Sequence, residues 1–199
     1  MSNQQNLFGV ADHSNLGKKW EADLEATHDW YRMQRLVDVR KIPSNWEFIS
    51  ENEYKSYLGK RYPGTLAVCD NARKMQRVKS DVDYVGGGSS FSIVFEAKTS
   101  AGTNFPLANI EPHQLEKLRQ RDRCGILAGA MVMMAKYERA FFVPFKYLDK
   151  RNEILLKQTG RRAAPGTASI SLSDFESYAT EIFKHKNNRL WDWLPQLVK

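Results

Sequence analysis

Two short segments carry side chains whose types and spacing suit chemistry on a phosphodiester: Asp81-Val82-Asp83-Tyr84 and Phe95-Glu96-Ala97-Lys98. On a β-strand, side chains two positions apart share a face. Glu96 and Lys98 therefore point the same way while Ala97 points into the core, and Asp81 and Asp83 share a face of their own. If the two segments pair as a hairpin, two or three carboxylates gather beside one lysine at the end of a central sheet.

Such a grouping suits Mg²⁺, which takes carboxylate and water oxygens in octahedral geometry and keeps several of its waters. A metal there can activate a water, polarise the phosphoryl group and neutralise developing charge. The neighbouring lysine can stabilise the transition state or orient the attacking water. Uncatalysed phosphate-ester hydrolysis is so slow that a metal-free site is a poor alternative. A Glu-x-Lys triplet on a strand end also arises by chance as a surface ion pair. Its flanks argue otherwise: Val94 and Phe95 before it and Ala97 inside it mark a buried strand, where an unpaired Glu and Lys are costly.

The elements that must position these residues follow from periodicity. Residues 16–36 read as a helix, with Leu16, Trp20, Leu24, Thr27, Tyr31 and Leu36 on one stripe and Asn15 as its N-cap. Residues 37–42 are short, β-branched and alternating, so they read as a strand. Residues 81–85 and 91–98 read as two strands joined through Gly86-Gly87-Gly88 and two serines. Residues 99–110 form a loop. Residues 111–123 form a helix, with Pro112 suited to its first turn. Residues 125–135 are almost wholly apolar and read as a buried strand, followed by a turn at 136–139 and a strand at 140–145. A Gly/Pro/Arg linker at 160–167 leads to a helix at 173–183, opened by Ser173 as cap with Glu176 three residues on. Trp191 and Trp193 in the tail read as a packing latch.

Residues 44–80 carry no long amphipathic period and are too long for an idle connection, so they read as an excursion with structure of its own. Its aromatics (Trp46, Tyr54, Tyr57, Tyr62) are interleaved with Lys60, Arg61, Arg73, Lys74, Arg77 and Lys79. That mixture suits distorted or single-stranded nucleic acid, through stacking plus phosphate contact. A surface subdomain with its own small core is the plainer reading. Lys117, Arg119, Arg121 and Arg123 form a further basic run, either tracking a DNA backbone or simply a solvated helix face.

Composition narrows the classes. The 199 residues are 42% hydrophobic and 27% charged, ordinary globular values. Thirty Lys and Arg against 23 Asp and Glu leave a net charge of +7, which favours a polyanionic partner, nucleic acid first. No apolar run is long enough to span a bilayer, and the N-terminal residues lack the pattern of a signal peptide. Cys69 and Cys124 give neither a disulfide framework nor a metal knuckle. The expectation is a cytoplasmic protein with no membrane association. It would have a flexible stretch at 1–15, a nuclease domain over 16–150 interrupted by the excursion, and a linker plus C-terminal helical segment over 151–199 of the same domain.

The runs Ser80-Asp81-Val82-Asp83-Tyr84, Phe95-Glu96-Ala97-Lys98 and Phe105-Pro106-Leu107-Ala108-Asn109-Ile110-Glu111-Pro112-His113-Gln114 resemble those of the RecU-type Holliday-junction resolvases, in the PD-(D/E)xK nuclease superfamily. The resemblance spans roughly residues 17–148. It implies an α/β fold with a restriction-endonuclease-like mixed central sheet flanked by helices, a protruding stalk at about 44–80, and a homodimer that acts on four-way junction DNA with Mg²⁺, for which Mn²⁺ can substitute. Asp83 and Glu96 would be the metal carboxylates and Lys98 the transition-state stabiliser. Gln114 would reach the metal shell through its amide oxygen. The family usually has Thr where this chain has Asp81, so Asp81 either ligates the metal or turns away. Glu21 would face the site from the first helix, as in many members of the superfamily. Two other readings stand beside this one: a restriction-like or RecB-like nuclease of the same superfamily, and a non-catalytic DNA-binding accessory protein on the same fold.

Overall fold

A computed structural model describes residues 13–43, 46–49, 66–68, 74–77, 82–159, 168–185 and 190–198. Helix α1 (His13–Met33) buries Trp20, Leu24, Thr27, His28 and Tyr31, a stripe repeating every three or four residues. It begins two residues before Asn15, and Leu36 lies beyond its end with a side chain about half exposed. The exit is a left-handed turn. Arg35 has φ 56°, and the Leu36 N–H returns to the Tyr31 carbonyl at 3.0 Å.

Strand β1 (Asp38–Lys41) leads into the excursion, whose described parts are β2 (Trp46–Ile49), β3 (Leu66–Val68) and β4 (Lys74–Arg77). These three pair antiparallel in the order β2-β4-β3, a sheet separate from the main one. The excursion thus has the structure of its own that its length demanded. Lys74 and Arg77 open and close β4. Lys60, Arg61, Arg73, Lys79 and Asp81 lie outside the described residues, as does the 160–167 linker.

The main sheet continues with β5 (Tyr84–Gly87), β6 (Ser92–Ser100), β8 (Leu127–Met134) and β9 (Arg139–Pro144), then β11 (Thr180–Lys184) and β12 (Trp191–Asp192). Its order is β1-β5-β6-β8-β9-β11-β12, antiparallel throughout except for the β6/β8 pair. That parallel pair needs a crossover. It is made through β7 (Phe105–Pro106), a turn of 3-10 helix and helix α2 (Pro112–Arg123). A mixed sheet flanked by helices is the architecture expected. Residues 99–110 are more ordered than the loop expected there: Phe105 and Leu107 are buried, and β7 pairs with β10 (Ser169–Ile170).

The central strands bury both faces. Val94, Ala128, Ala130, Val132, Phe141 and Val143 face α2 and helix α3 (Phe145–Thr159), and Ile93, Phe95, Met131 and Phe142 face α1. Gly129 is required there, because a Cβ would come within 2.4 Å of the Val143 carbonyl and 2.7 Å of the Phe142 ring. Two of the three hairpin glycines are strand residues rather than turn. A Cβ on Gly86 would lie 2.2 Å from the Asp38 carbonyl, so the glycine admits close approach of β1.

The C-terminal segment departs from the all-helical expectation. Helix α4 (Leu172–Tyr178) starts earlier than predicted, capped by Ser171, whose hydroxyl accepts the Asp174 N–H at 3.2 Å. It stops at Tyr178, and Thr180–Lys184 pairs as a strand with β9 instead of extending the helix. The tail is the latch expected of its tryptophans. Trp191 and Trp193 are buried against α1, and Tyr31 Oη accepts the N–H groups of Trp193 and Leu194 at 2.9 and 3.0 Å, at the start of helix α5 (Leu194–Leu197).

Candidate active site

Asp83 sits one residue before β5, not on a strand as its alternation suggested, and it is half-buried. Two hydrogen bonds fix it. Its carbonyl accepts the Ile42 N–H at 2.7 Å, and its Oδ2 accepts the Ala97 N–H at 3.0 Å. The second bond places the carboxylate against the β6 backbone between Glu96 and Lys98. The hairpin register, Tyr84 opposite Phe95, makes this contact automatic. Ala97 packs on the α1 side of the sheet, so Glu96 and Lys98 turn toward α2.

Glu96 is wholly buried, and its Oε2 receives Lys98 Nζ at 3.2 Å. The same oxygen receives the side-chain amide of Gln114. Oε1 is buried with no hydrogen-bond partner among the described residues. Burial pushes the Glu96 carboxyl up to about 8. The Lys98 ammonium pulls the other way, and the charge of the Asp83 carboxyl adds to the rise. Two carboxyls this close need either a shared proton or a cation between them. An orphaned buried oxygen in an all-oxygen donor set is a good match for Mg²⁺.

Gln114 is the third helical residue of α2. Its Oε1 accepts the N–H of the cap residue Glu111 at 3.0 Å, closing half of a capping box, and its amide nitrogen faces Glu96. The amide oxygen anticipated as a metal donor is therefore engaged with the helix start.

Asp83, Glu96, Lys98 and Gln114 thus converge. Glu21 lies on the other face of the sheet, where its Oε2 receives Lys41 Nζ at 2.8 Å. Lys41 also reaches Glu25 Oε1 at 3.2 Å. Neither Lys41 nor Glu25 was singled out from the sequence, although Glu25 lies one helical turn from Glu21 and so shares its face. Tyr84 stands between the two groups. Burial, then the charges of Glu25, Glu21 and Asp83, with the Glu25 carboxylate also as an acceptor, hold its hydroxyl protonated. Arg119 bonds Glu116 and, at 2.5 Å, Asp149, tying α2 to α3. His28 is enclosed by Tyr84, Phe95 and Trp193, and burial, then the charge of Arg32, lowers its pKa to about 3.

The chain is 28% identical over 142 residues to Holliday junction resolvase RecU of Bacillus pumilus (strain SAFR-032), a match covering 71% of this chain and 63% of that protein. It is 27% identical over 171 residues to the protein of the same name from Geobacillus thermodenitrificans (strain NG80-2), covering 85% and 76%. Among solved structures, Archaeoglobus fulgidus Hjc, a Holliday junction resolvase, aligns with a TM-score of 0.43 and 12% identity over 81% of this chain and 93% of that one. The family model described as RecU, Recombination protein U, matches residues 15–197, and with the match running from the first helix to the tail latch, the chain belongs to the RecU family.

Proposed function

We propose that this protein is a Holliday-junction resolvase: a Mg²⁺-dependent endonuclease that, as a homodimer, nicks two opposed strands of a four-way DNA junction. The observation that carries the reading is the gathering of Asp83, Glu96 and Lys98 along one stretch of β6, with Glu96 Oε1 left without a partner among the described residues, in a chain of this family.

Asp83 and Glu96 would hold the metal, which when bound supplies Lewis-acid polarisation of the phosphoryl group and activates water. The chain's own residues do the rest. Glu96 must shed its proton to serve as a ligand, and Lys98, already 3.2 Å from it, balances the charge that results. The same ammonium is placed to stabilise negative charge developing on the phosphate. Gln114 orients Glu96 from the α2 start. A two-fold dimer presents two such sites to a substrate of near two-fold symmetry. Recognition rests on phosphates and shape more than on base edges, in keeping with the net charge of +7 and the basic excursion.

The test is incubation with a mobile four-way junction and a sequence-matched linear duplex, with and without Mg²⁺. Paired nicks in the junction that require Mg²⁺ and spare the duplex are the expected result. Equal cutting of duplex would overturn the resolvase reading while leaving a nuclease.

A further inference from the structure

Lys41 ends β1, two residues before the chain leaves the described part of the sheet for the excursion. Its ammonium lies 2.8 Å from Glu21 and 3.2 Å from Glu25, which are neighbours on one face of α1. This cluster is close to the candidate active site through the backbone: Lys41 is the register partner of Tyr84, and the next residue, Ile42, donates its N–H to the Asp83 carbonyl at 2.7 Å. Tyr84 is wholly buried, the charges of Glu25, Glu21 and Asp83 all act on its hydroxyl, and the Glu25 carboxylate lies within its reach as an acceptor.

We propose that Lys41 is a positioning residue, the built-in counter-ion of Glu21 and Glu25, occupying the place a second divalent cation would take and confining the metal to Asp83 and Glu96. The proposal rests on reading those two residues as the metal carboxylates. The pairing does not serve to hold α1 in place. Trp20 and Leu24 do that, while the Lys41, Glu21 and Glu25 side chains are 41%, 38% and 50% exposed, and ion pairs so exposed contribute little to stability. Without the ammonium, the Glu21 and Glu25 carboxylates, with the Tyr84 hydroxyl behind Glu25, would offer oxygen donors only, the kind hard divalent cations take. Lys41 prevents that by charge, so arginine should replace it and methionine should not.

The experiment is titration of the full, DNA-free chain with Mn²⁺, followed by the electron paramagnetic resonance of the free ion, for wild type, Lys41→Met, Lys41→Arg, Lys41→Met with Glu25→Gln, and Glu96→Gln. Lys41→Met should bind one more Mn²⁺ per chain than wild type, Glu25→Gln should remove the extra ion, and Lys41→Arg should match wild type. An unchanged stoichiometry in Lys41→Met overturns the proposal, as does an extra ion in Lys41→Arg. Glu96→Gln separates the two readings. If it loses the wild-type ion while Lys41→Met gains none, only the role of Lys41 falls; if it keeps that ion, the metal-carboxylate reading falls and this proposal with it.

Discussion

Asp83 reaches across the hairpin and accepts the Ala97 N–H at 3.0 Å, so its carboxylate is held by the backbone that carries Glu96 and Lys98 on either side. The spacing between the two carboxyls is therefore set by hairpin register rather than by side-chain packing. An asparagine at this position could still accept the same N–H through its amide oxygen.

From that follows the first expectation. Asp83→Asn or Glu96→Gln should lower junction cleavage by more than about 100-fold, the scale of losing one aligned charge-stabilising group. Junction binding should persist, because in the proposed mode it rests on phosphate contacts spread over a basic surface rather than on the metal ligands. Gel-shift and cleavage assays on the same preparations check this, and turnover retained in either variant would place the metal elsewhere.

Glu96 also gives stability a pH dependence with a definite sign. Its pKa is about 8 in the folded chain against an ordinary 4.5. Between these values the folded state holds a proton that the unfolded state releases. The contribution is therefore full below the lower value and is lost as pH rises through the upper one. Denaturant midpoints of metal-free protein in EDTA should fall across this window, and Glu96→Gln should flatten the fall. Metal binding demands the ionised form, so Mg²⁺ affinity should rise over the same range, with proton release measurable by calorimetry in buffers of different ionisation enthalpy. Identical profiles for the two proteins would show that Glu96 is not the group responsible.

Phosphate-based recognition makes a separate demand. Junction affinity should fall steeply with salt, the slope of log K against log salt steepening by about 0.9 for each phosphate contact. A flat dependence measured by fluorescence anisotropy would contradict it.

Much of this was legible before any coordinates. The apolar run at 127–134 could only be a buried strand, and the Pro112 start of α2 was written in the chain. The meeting of Asp83, Glu96 and Lys98 needed only a hairpin. What was hidden had physical reasons. The apolar stripe of α3 (Phe145, Leu148, Leu155) is sparse among charges, so no period stood out. Thr180–Lys184 reads equally well as helix or strand, and it is the open edge of β9 that makes it a strand. The Lys41 contact with α1 joins residues about 20 positions apart and depends on helix-to-sheet docking that local sequence does not encode.

The tail latch gives a stability test away from the site. Tyr31 Oη accepts two backbone N–H groups and donates to Asp192 Oδ1 at 2.5 Å. Tyr31→Phe keeps the ring but leaves those buried donors unsatisfied, at about 1–3 kcal/mol each. Unfolding in urea should show a loss of about 2–4 kcal/mol, with Mn²⁺ binding at the Glu96 site unchanged at low denaturant. A loss below about 0.5 kcal/mol, the scale of a neutral surface change, would mean that water replaces the hydroxyl and that the latch is held by the tryptophans alone.

The excursion at 44–80 provides the sharpest test of junction selectivity. The chain on either side of it meets in the sheet: Lys41 pairs with Tyr84, and the Ile42 N–H bonds the Asp83 carbonyl at 2.7 Å. Strands β1 and β5 are antiparallel neighbours, so a short Asn-Gly hairpin turn can close the gap without disturbing either. The described part of the excursion pairs only within itself, as β2-β4-β3, so no strand of the main sheet is lost. Asp83, Glu96, Lys98 and Gln114 all lie outside the deletion. What disappears is a segment of aromatic and basic residues rooted at Asp83, suited to the open centre of a junction. Stacking there contributes about 1–3 kcal/mol per base engaged. The deletion variant, its fold checked by circular dichroism and its site by Mn²⁺ binding, should lose junction affinity by at least about fivefold, the smallest effect of one stacked base. Its duplex affinity should change much less. A folded variant whose junction preference is unchanged would show the excursion to be a surface subdomain with no part in recognition.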